Sequence, residues 1–494
     1  MTIQSKSRFP RPVRSLSLLG LALAFPLIGA AAPPAQTAGP PSTLTLAEAA
    51  AIAATVRAAP AQGLPAQDVA ADVAAFGSAN AAVKSKAEAD LAHAAIAYAR
   101  AERGMDLNPK ALDPDFALRE PYDAAAEFAK ARESGAVAAW LAGLARHDPA
   151  YLGLVAARGR YAQIVARGGW PTVRAGPPLT VGAEGDRIAV LRARLAAEGY
   201  GPAPARGRAR YRFDRRLAAA LADFQRHHRI SPDGALTAQT VKALDVSAAA
   251  RLSTIEVNLE RARWLAPAPP PTRVEVDIAA PEATFFQNGA PALSMRAIAG
   301  DPDHQTPTFA SEIDAVEIDP PWIVPKDIAE RELFPKERRS RHYFARHDFH
   351  VVDGRLIQKA GPMSALGYVK FDMPDAFEVY LHDTPDRADF DRERRWLSHG
   401  CVRLQAPRAL TTALLASQGW TRQSLDAAIA AGATRTVQLP SPVPVFVVYR
   451  TAVAARDGKV DFRKDVYGWD TEIAAALAGH PMPAPKRNGE TAAP

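Results

Sequence analysis

The sequence predicts a multidomain α+β protein. Three observations carry that reading. The chain has 494 residues, too long for one ordinary domain. From about Thr43 to Arg167 it is Ala-rich with helical periodicity and almost no strand signal. After about residue 272 the texture changes to short β-branched runs separated by turn residues.

The elements follow in order. Lys6, Arg8, Arg11 and Arg14 precede an apolar run from Leu16 to Ile28, and small residues Gly29 to Ala32 follow. This is the layout of an export signal over 1–32, with an uncleaved anchor as the competing reading. Residues 33–42 are rich in Pro, Ala and Gly and form a linker. The formal charge of +7 falls to +3 without the four basic residues of the signal, which contains no acids. That mild excess, with no basic run interleaved with aromatics, argues against a nucleic-acid partner. No later stretch is apolar enough to span a bilayer, so the membrane enters only through the export signal. One cysteine, Cys401, permits no internal disulfide. An exported chain that avoids cysteine yet keeps one gives that thiol a chemical prior.

Residues 43–178 form the helical domain, with "SKAEADLAHAAIAYARAERG" as a typical stretch and "GGWPTVRAGPP" as its end. Residues 179–247 contain three short helices. The first carries the stripe Ile188, Leu191, Leu195. The second follows Asp214, a predicted N-cap, and presents Leu217, Leu221 and Phe224. "SPDG" is a turn, and Thr237 caps a third helix with Val241 and Leu244. The run "FQRHHRISPDGALTAQTVKAL" resembles the three-helix peptidoglycan-binding module of bacterial wall enzymes. Residues 248–271 supply one more amphipathic helix, "RLSTIEVNLERARWLAP", and a Pro-rich linker.

The β-rich region spans 272–480, and 481–494 is a disordered tail by composition. "VVDGRLI" predicts a hairpin through its Asp-Gly pair. Helical patches are expected at about 408–418 and 422–431. In "FEVYLHDTP", alternation sets Phe377, Val379 and Leu381 on one face and Glu378, Tyr380 and His382 on the other, the more polar one. In "LSHGCVRL", an extended backbone puts Cys401 and Arg403 on one face while Val402 and Leu404 turn inward. A thiol near neutral pH needs a base, and imidazole is the usual one. His382 and His399 are the candidates. Gly400 lets the backbone approach closely and frees amide donors for an oxyanion.

At these residues the chain resembles the L,D-transpeptidases of the YkuD type, whose signature is a His followed by Ser/Thr-His-Gly-Cys and an Arg or Asn two residues on. Here the matching residues are His382, Ser398, His399, Gly400, Cys401 and Arg403. The likeness extends to "DPDHQTPTFASEI", "IDPPWIVPKDIAERELFP", "GPMSALGYVKFDMP", "YLGLVAARGRYAQIVARGGWP" and "NLERARWL", as in the large multidomain members. It implies a helical scaffold domain interrupted by the wall-binding module, and a capping insertion at about 320–360 of the catalytic domain. It implies Cys401 as nucleophile on the tetrapeptide stem of peptidoglycan, with release of D-Ala. His382 would be general base and then acid. Amides near Gly400 and Cys401, helped by Tyr380, would hold the oxyanion. Ser398 and His399 would organise the site, and Arg403 would contact substrate. A diaminopimelate amine would accept the acyl group, giving 3-3 cross-links. A periplasmic setting, acylation of Cys401 by carbapenems and cell-wall synthesis partners are further implications. No cofactor is implied.

Other readings compete. The same site could hand the acyl group to water, as an L,D-carboxypeptidase or an amidase releasing wall-linked protein. An inactive wall-binding scaffold is a third reading, against which the complete His/Cys/Arg set argues. His342, His347 and His350 invite a metal, but their spacing lacks the i, i+4 pattern of helical zinc ligands, so no metal is expected. "PKERRSRHYFARH" is a solvated basic stretch, and Trp322 is either core or substrate wall.

Overall fold

The computed structural model describes residues 43–201, 205–374 and 378–482. The expected export signal, the linker at 33–42 and residues 483–494 of the expected tail lie outside them. Among the described residues, no helix is long and apolar enough to cross a membrane.

Side-chain caps set the N-termini of several helices. Thr45 and Glu48 form a reciprocal capping box on Leu46–Ala58. Asn80, Asp123 and Asp148 cap Ala81–Glu102, Ala124–Glu133 and Pro149–Ala166. The first helices of this domain bury Ile52, Val56, Leu91, Phe128 and Leu141 against one another. The helix Pro149–Ala166 instead packs on Ala248–Arg263. Tyr151, Leu154, Ile255 and Leu259 fill that seam. The three-helix module thus leaves and re-enters the helical domain between two helices that pack together.

Within the module, the apolar stripes expected from sequence all lie in one core. Asp214 Oδ1 accepts the Leu217 amide at 2.8 Å, and Thr237 accepts that of Thr240. Gln225 is fully buried and clasps the SPDG turn. Its side-chain nitrogen donates to Asp233 (2.8 Å) and its oxygen accepts the Gly234 amide (2.8 Å).

The β-rich region contains β1 (Arg273–Asp277), β2 (Glu282–Gln287), β3 (Ala290–Gly300), β4 (Phe309–Ile318), β5 (Trp322–Ile323), β6 (Phe349–Val352) and β7 (Arg355–Gln358). It continues with β8 (Val369–Asp372), β9 (Leu381–His382), β10 (Trp396–Ser398), β11 (Val402–Leu404), β12 (Arg435–Val448), β13 (Ala452–Ala454) and β14 (Val460–Phe462). Nine strands form one sheet in the order β10-β3-β11-β9-β8-β4-β12-β1-β2, and β2 also pairs with the first half of β3. The sheet therefore closes on itself around a core that includes Val276, Phe309, Val316, Phe371, Leu381, Val402 and Val445. The helices Pro407–Leu414 and Arg422–Ala430 cover it through Leu410, Leu414 and Leu425.

The segment between β5 and β7 folds as a small unit with its own three-stranded sheet, β5-β7-β6, and its own core of Val324, Leu333, Phe349 and Leu356. Asp353 and Gly354 both have positive φ, which is the two-residue turn that the Asp-Gly pair predicts. At the far edge, Asn258 exchanges two hydrogen bonds with Thr451 (2.7 and 2.9 Å), and Arg261 pairs with Asp470 at 2.6 Å. These contacts fasten the re-entrant helix to the β-rich region.

Candidate active site

The site is built on two short parallel strands. Leu381 pairs with Val402 and His382 with Arg403, and the Val402 amide donates to the Tyr380 carbonyl at 3.1 Å. Paired residues on adjacent strands point to the same side of the pleat, so Tyr380, His382, Cys401 and Arg403 gather on one face. Val402 and Leu404 are fully buried on the other. The alternation expected for 377–382 holds only in part. Glu378 has φ +55, so the chain turns there and is extended only afterwards. Phe377 lies outside the described residues.

His382 is not on a solvated face: it is 5% exposed. Burial pushes its pKa down to about 3, and Arg403 and then Lys370 on the flanking strands push the same way. Hydrogen bonding to the backbone of Asp383 and Leu366 opposes them. The ring is therefore neutral at physiological pH. Its Nδ1 is buried without a hydrogen-bond partner.

Tyr380 lies edge-on to the His382 ring at 5.6 Å. Burial and then the neighbouring Cys401 sulfur raise its pKa, so it stays a hydroxyl donor. The Trp322 side chain, from the base of the small unit, hydrogen-bonds the same group. Trp322 is therefore half-buried beside the site and not part of the main core. The Cys401 thiol contacts the Glu378 carbonyl at 3.8 Å.

The loop bearing Cys401 is held from behind. Gly400 has φ +108, which favours glycine. Its amide donates to Ser398 Oγ at 3.3 Å, and that hydroxyl donates to the Cys401 carbonyl at 2.6 Å. The Gly400 carbonyl accepts from Thr306 Oγ1 at 2.7 Å, and Thr306 Oγ1 accepts the Gly300 amide at 2.8 Å. The Tyr467 hydroxyl accepts the Thr306 amide (3.1 Å) and donates to the Gly300 carbonyl (2.8 Å). Gly300 cannot be replaced, because a Cβ there would stand 2.0 Å from the His304 carbonyl oxygen. Two residues beyond Thr306, the amide and hydroxyl of Thr308 donate to Asp113 of the helical domain at 2.7 and 2.5 Å. Burial lifts its pKa to about 6.

His399 points the other way. Its Nε2 meets Glu332 Oε1 of the small unit at 2.5 Å, and its ring lies 4.6 Å from that of His304, which in turn contacts Asp301. Arg403 approaches Asp386 at 3.6 Å. Thr306, Tyr467, Glu332 and His304 have no signal in the local sequence that singles them out, since each acts through a partner at least 67 residues away or through a loop packed on another.

His342, His347 and His350 do not converge. His347 stacks on Tyr343 and contacts its carbonyl, and His350 has a buried, unpartnered Nδ1. Among the described residues, metal-ligating atoms come together at Asp223, His227 and Asp457, between the three-helix module and the β13–β14 hairpin. There the Lys459 ammonium already lies 3.3 and 3.1 Å from the two carboxylates.

A closed sheet thus presents a cysteine, a buried neutral imidazole, a tyrosine and an arginine on one face. Residues 271–427 match the YkuD L,D-transpeptidase catalytic domain, 184–244 the "Putative peptidoglycan binding domain", and 42–157 the scaffold domain. The chain thus carries a YkuD-type L,D-transpeptidase catalytic domain joined to a peptidoglycan-binding domain and a helical scaffold domain. A curated protein of Haemophilus influenzae named "Putative L,D-transpeptidase" is 32% identical over 222 residues, 41% of this chain and 45% of that protein. The match therefore spans under half of that relative's length. Solved L,D-transpeptidases from Mycobacterium smegmatis and Mycobacterium tuberculosis are 17% and 16% identical. Each covers 36% of this chain, and 58% and 61% of its own, with TM-scores of 0.20 and 0.17.

Proposed function

We propose that the protein is an exported peptidoglycan L,D-transpeptidase in which Cys401 carries the acyl group. The observation that bears most weight is the strand register that sets Tyr380 and His382 beside Cys401 and Arg403. The Cys401 thiol loses its proton to neutral His382 as it attacks the carbonyl between the third and fourth residues of a tetrapeptide stem. Arg403 favours the thiolate by its charge. The Tyr380 hydroxyl and the Cys401 amide are the donors for the oxyanion, since the Gly400 amide is engaged by Ser398. The carbon–nitrogen bond breaks, His382 returns the proton to the leaving amine, and D-Ala departs. The thioester is then attacked by a diaminopimelate side-chain amine, which gives its proton to His382, and the thiolate leaves. No metal or cofactor enters these steps. The basic and apolar layout of residues 1–32 supports delivery to the periplasm.

The test is to incubate the purified chain with disaccharide-tetrapeptides and weigh the products. Cross-linked dimers that have lost one D-Ala support transfer, tripeptide monomers make the protein a hydrolase, and unchanged substrate refutes both. Cys401→Ala is expected to abolish product and any carbapenem adduct while the protein still folds. Full activity in that variant would overturn the nucleophile assignment.

A further inference from the structure

Charge is unevenly spread over this chain. The three-helix module, residues 179–247, holds twelve basic and seven acidic side chains, a net +5. The chain from residue 33 onwards totals +3, so what lies outside the module is net negative. Half of the module's basic groups fall within eleven residues: Arg206, Arg208, Arg210, Arg212, Arg215 and Arg216. All six are exposed, and among the described residues none of them forms an ion pair. Five of the seven acids are engaged elsewhere. Asp214 pairs with Arg192 at 2.6 Å, Glu198 with Arg194 at 2.7 Å and Asp223 with Arg226 at 2.7 Å. Asp233 accepts from Gln225, and Asp245 accepts the Val173 amide. Glu184, which bridges to the Arg212 backbone, and Asp186 are left against six guanidiniums.

The fold gains nothing from these charges. Residues Gly207–Tyr211 form one tight helical turn, in which a rise of about 2.0 Å per residue crowds Arg208 against Arg210. Arg215 and Arg216 are the first two residues of the helix Arg215–His227, where the helix dipole is positive. Both placements concentrate like charge and work against the folded state. An apolar side chain lies alongside: Val181 is 52% exposed, and the next amide, of Gly182, donates to the Phe213 carbonyl at 2.9 Å. The aromatics of the stretch offer no platform for stacking bases. Phe213 is in the module's core, and the Arg210 guanidinium covers the Tyr211 ring at 4.4 Å. What remains is a set of guanidinium forks beside an apolar side chain, which suits a surface of phosphate headgroups.

We infer that the arginine cluster at 206–216 is a docking surface for an anionic phospholipid bilayer. The guanidiniums pair with lipid phosphates, and Val181 enters the headgroup layer. The contact is separate from residues 1–32 and from the chemistry at Cys401. It holds the peptidoglycan-binding module against the membrane. Because the groups are exposed, the attraction is screened over a Debye length of about 10 Å at 0.1 M salt.

The test uses the chain from residue 33, the exported form under the proposed reading, which keeps every described residue and lacks the basic, apolar segment 1–32. Co-sedimentation is measured with vesicles of phosphatidylcholine alone and of phosphatidylcholine mixed with phosphatidylglycerol. Binding to insoluble peptidoglycan is measured in parallel. The wild type is expected to bind the mixed vesicles, to leave the neutral ones, and to be released as salt is raised. Arg208→Gln/Arg215→Gln/Arg216→Gln should lower the partition coefficient by about fivefold per arginine, on the order of tenfold to a hundredfold together. Arg208→Lys/Arg215→Lys/Arg216→Lys keeps the charge and should keep most of the binding. The glutamine variant relieves the helix start of two cations, so it should unfold at or above the wild-type temperature, which separates lost binding from lost folding. Equal binding to neutral and anionic vesicles, unchanged binding in the glutamine variant, or as large a loss in the lysine variant overturns the inference. A matching loss on peptidoglycan also overturns it and assigns the cluster to the wall.

Discussion

Thr306→Val is the sharpest probe of how the cysteine loop is held. Valine keeps the size and branching of threonine but removes the hydroxyl. Thr306 is fully buried, and its Oγ1 serves two backbone groups at once: the Gly300 amide at 2.8 Å and the Gly400 carbonyl at 2.7 Å. A buried polar group left without a partner costs about 1–3 kcal/mol. Two such groups put the expected loss at about 2–6 kcal/mol. Thr306→Ser keeps the hydroxyl and loses one methyl, so it should cost about 1 kcal/mol or less. Because the chain has several domains, one global free energy is not the right readout. Hydrogen–deuterium exchange of peptides spanning 296–309 and 396–404 reports the loss where it arises. Faster exchange in both peptides, in valine and not in serine, is the expected result, together with slower acylation of Cys401 by a carbapenem. Exchange in the valine variant within about 0.5 kcal/mol of wild type would show that Thr306 does not support the loop.

Two further predictions concern the imidazoles. The folded pKa of His382 lies near 3, below its ordinary value of 6.5, so its contribution to stability is complete above about pH 6.5 and is lost as pH falls towards 3. Between pH 7 and pH 4 this amounts to about 3 kcal/mol, and His382→Gln should flatten the acid limb of a stability-versus-pH curve by that order. An unchanged acid limb would contradict the burial argument. The His399–Glu332 pair is about one-third exposed on both sides, so its coupling is screened to about 0.5–1 kcal/mol. A double-mutant cycle of His399→Gln and Glu332→Gln on the carbapenem acylation rate should show that coupling. Strict additivity would mean that the small unit does not act on the SHGC motif through this contact.

Much of the fold was legible in the sequence because its signals are local. Asp214 and Thr237 cap helices through side-chain bonds to residues three positions on. The stripe of Leu217, Leu221 and Phe224 follows from helical spacing, and the Asp353-Gly354 turn from a dipeptide. Cys401 and His382 were legible as a pair through the motif that contains them. The chemical state of His382 was not. Alternation placed its ring on a polar face, whereas the structure buries it between Arg403 and Lys370. Two flanking strands produce that burial, and neither pairing is encoded within the segment itself.

By itself, the sequence determined the order of helical domain, three-helix module and β-rich domain, the caps and turns within them, and the residue types available for thiol chemistry. Each depends on interactions among residues a few positions apart. The tertiary structure alone decided which distant residues serve the site. Thr306 reaches Gly400 across 94 residues of chain, Glu332 reaches His399 across 67, and Asp113 reaches Thr308 across 195. The physical reason is that periodicity and capping are short-range, while sheet register and the packing of one loop on another are set by burying the whole core at once.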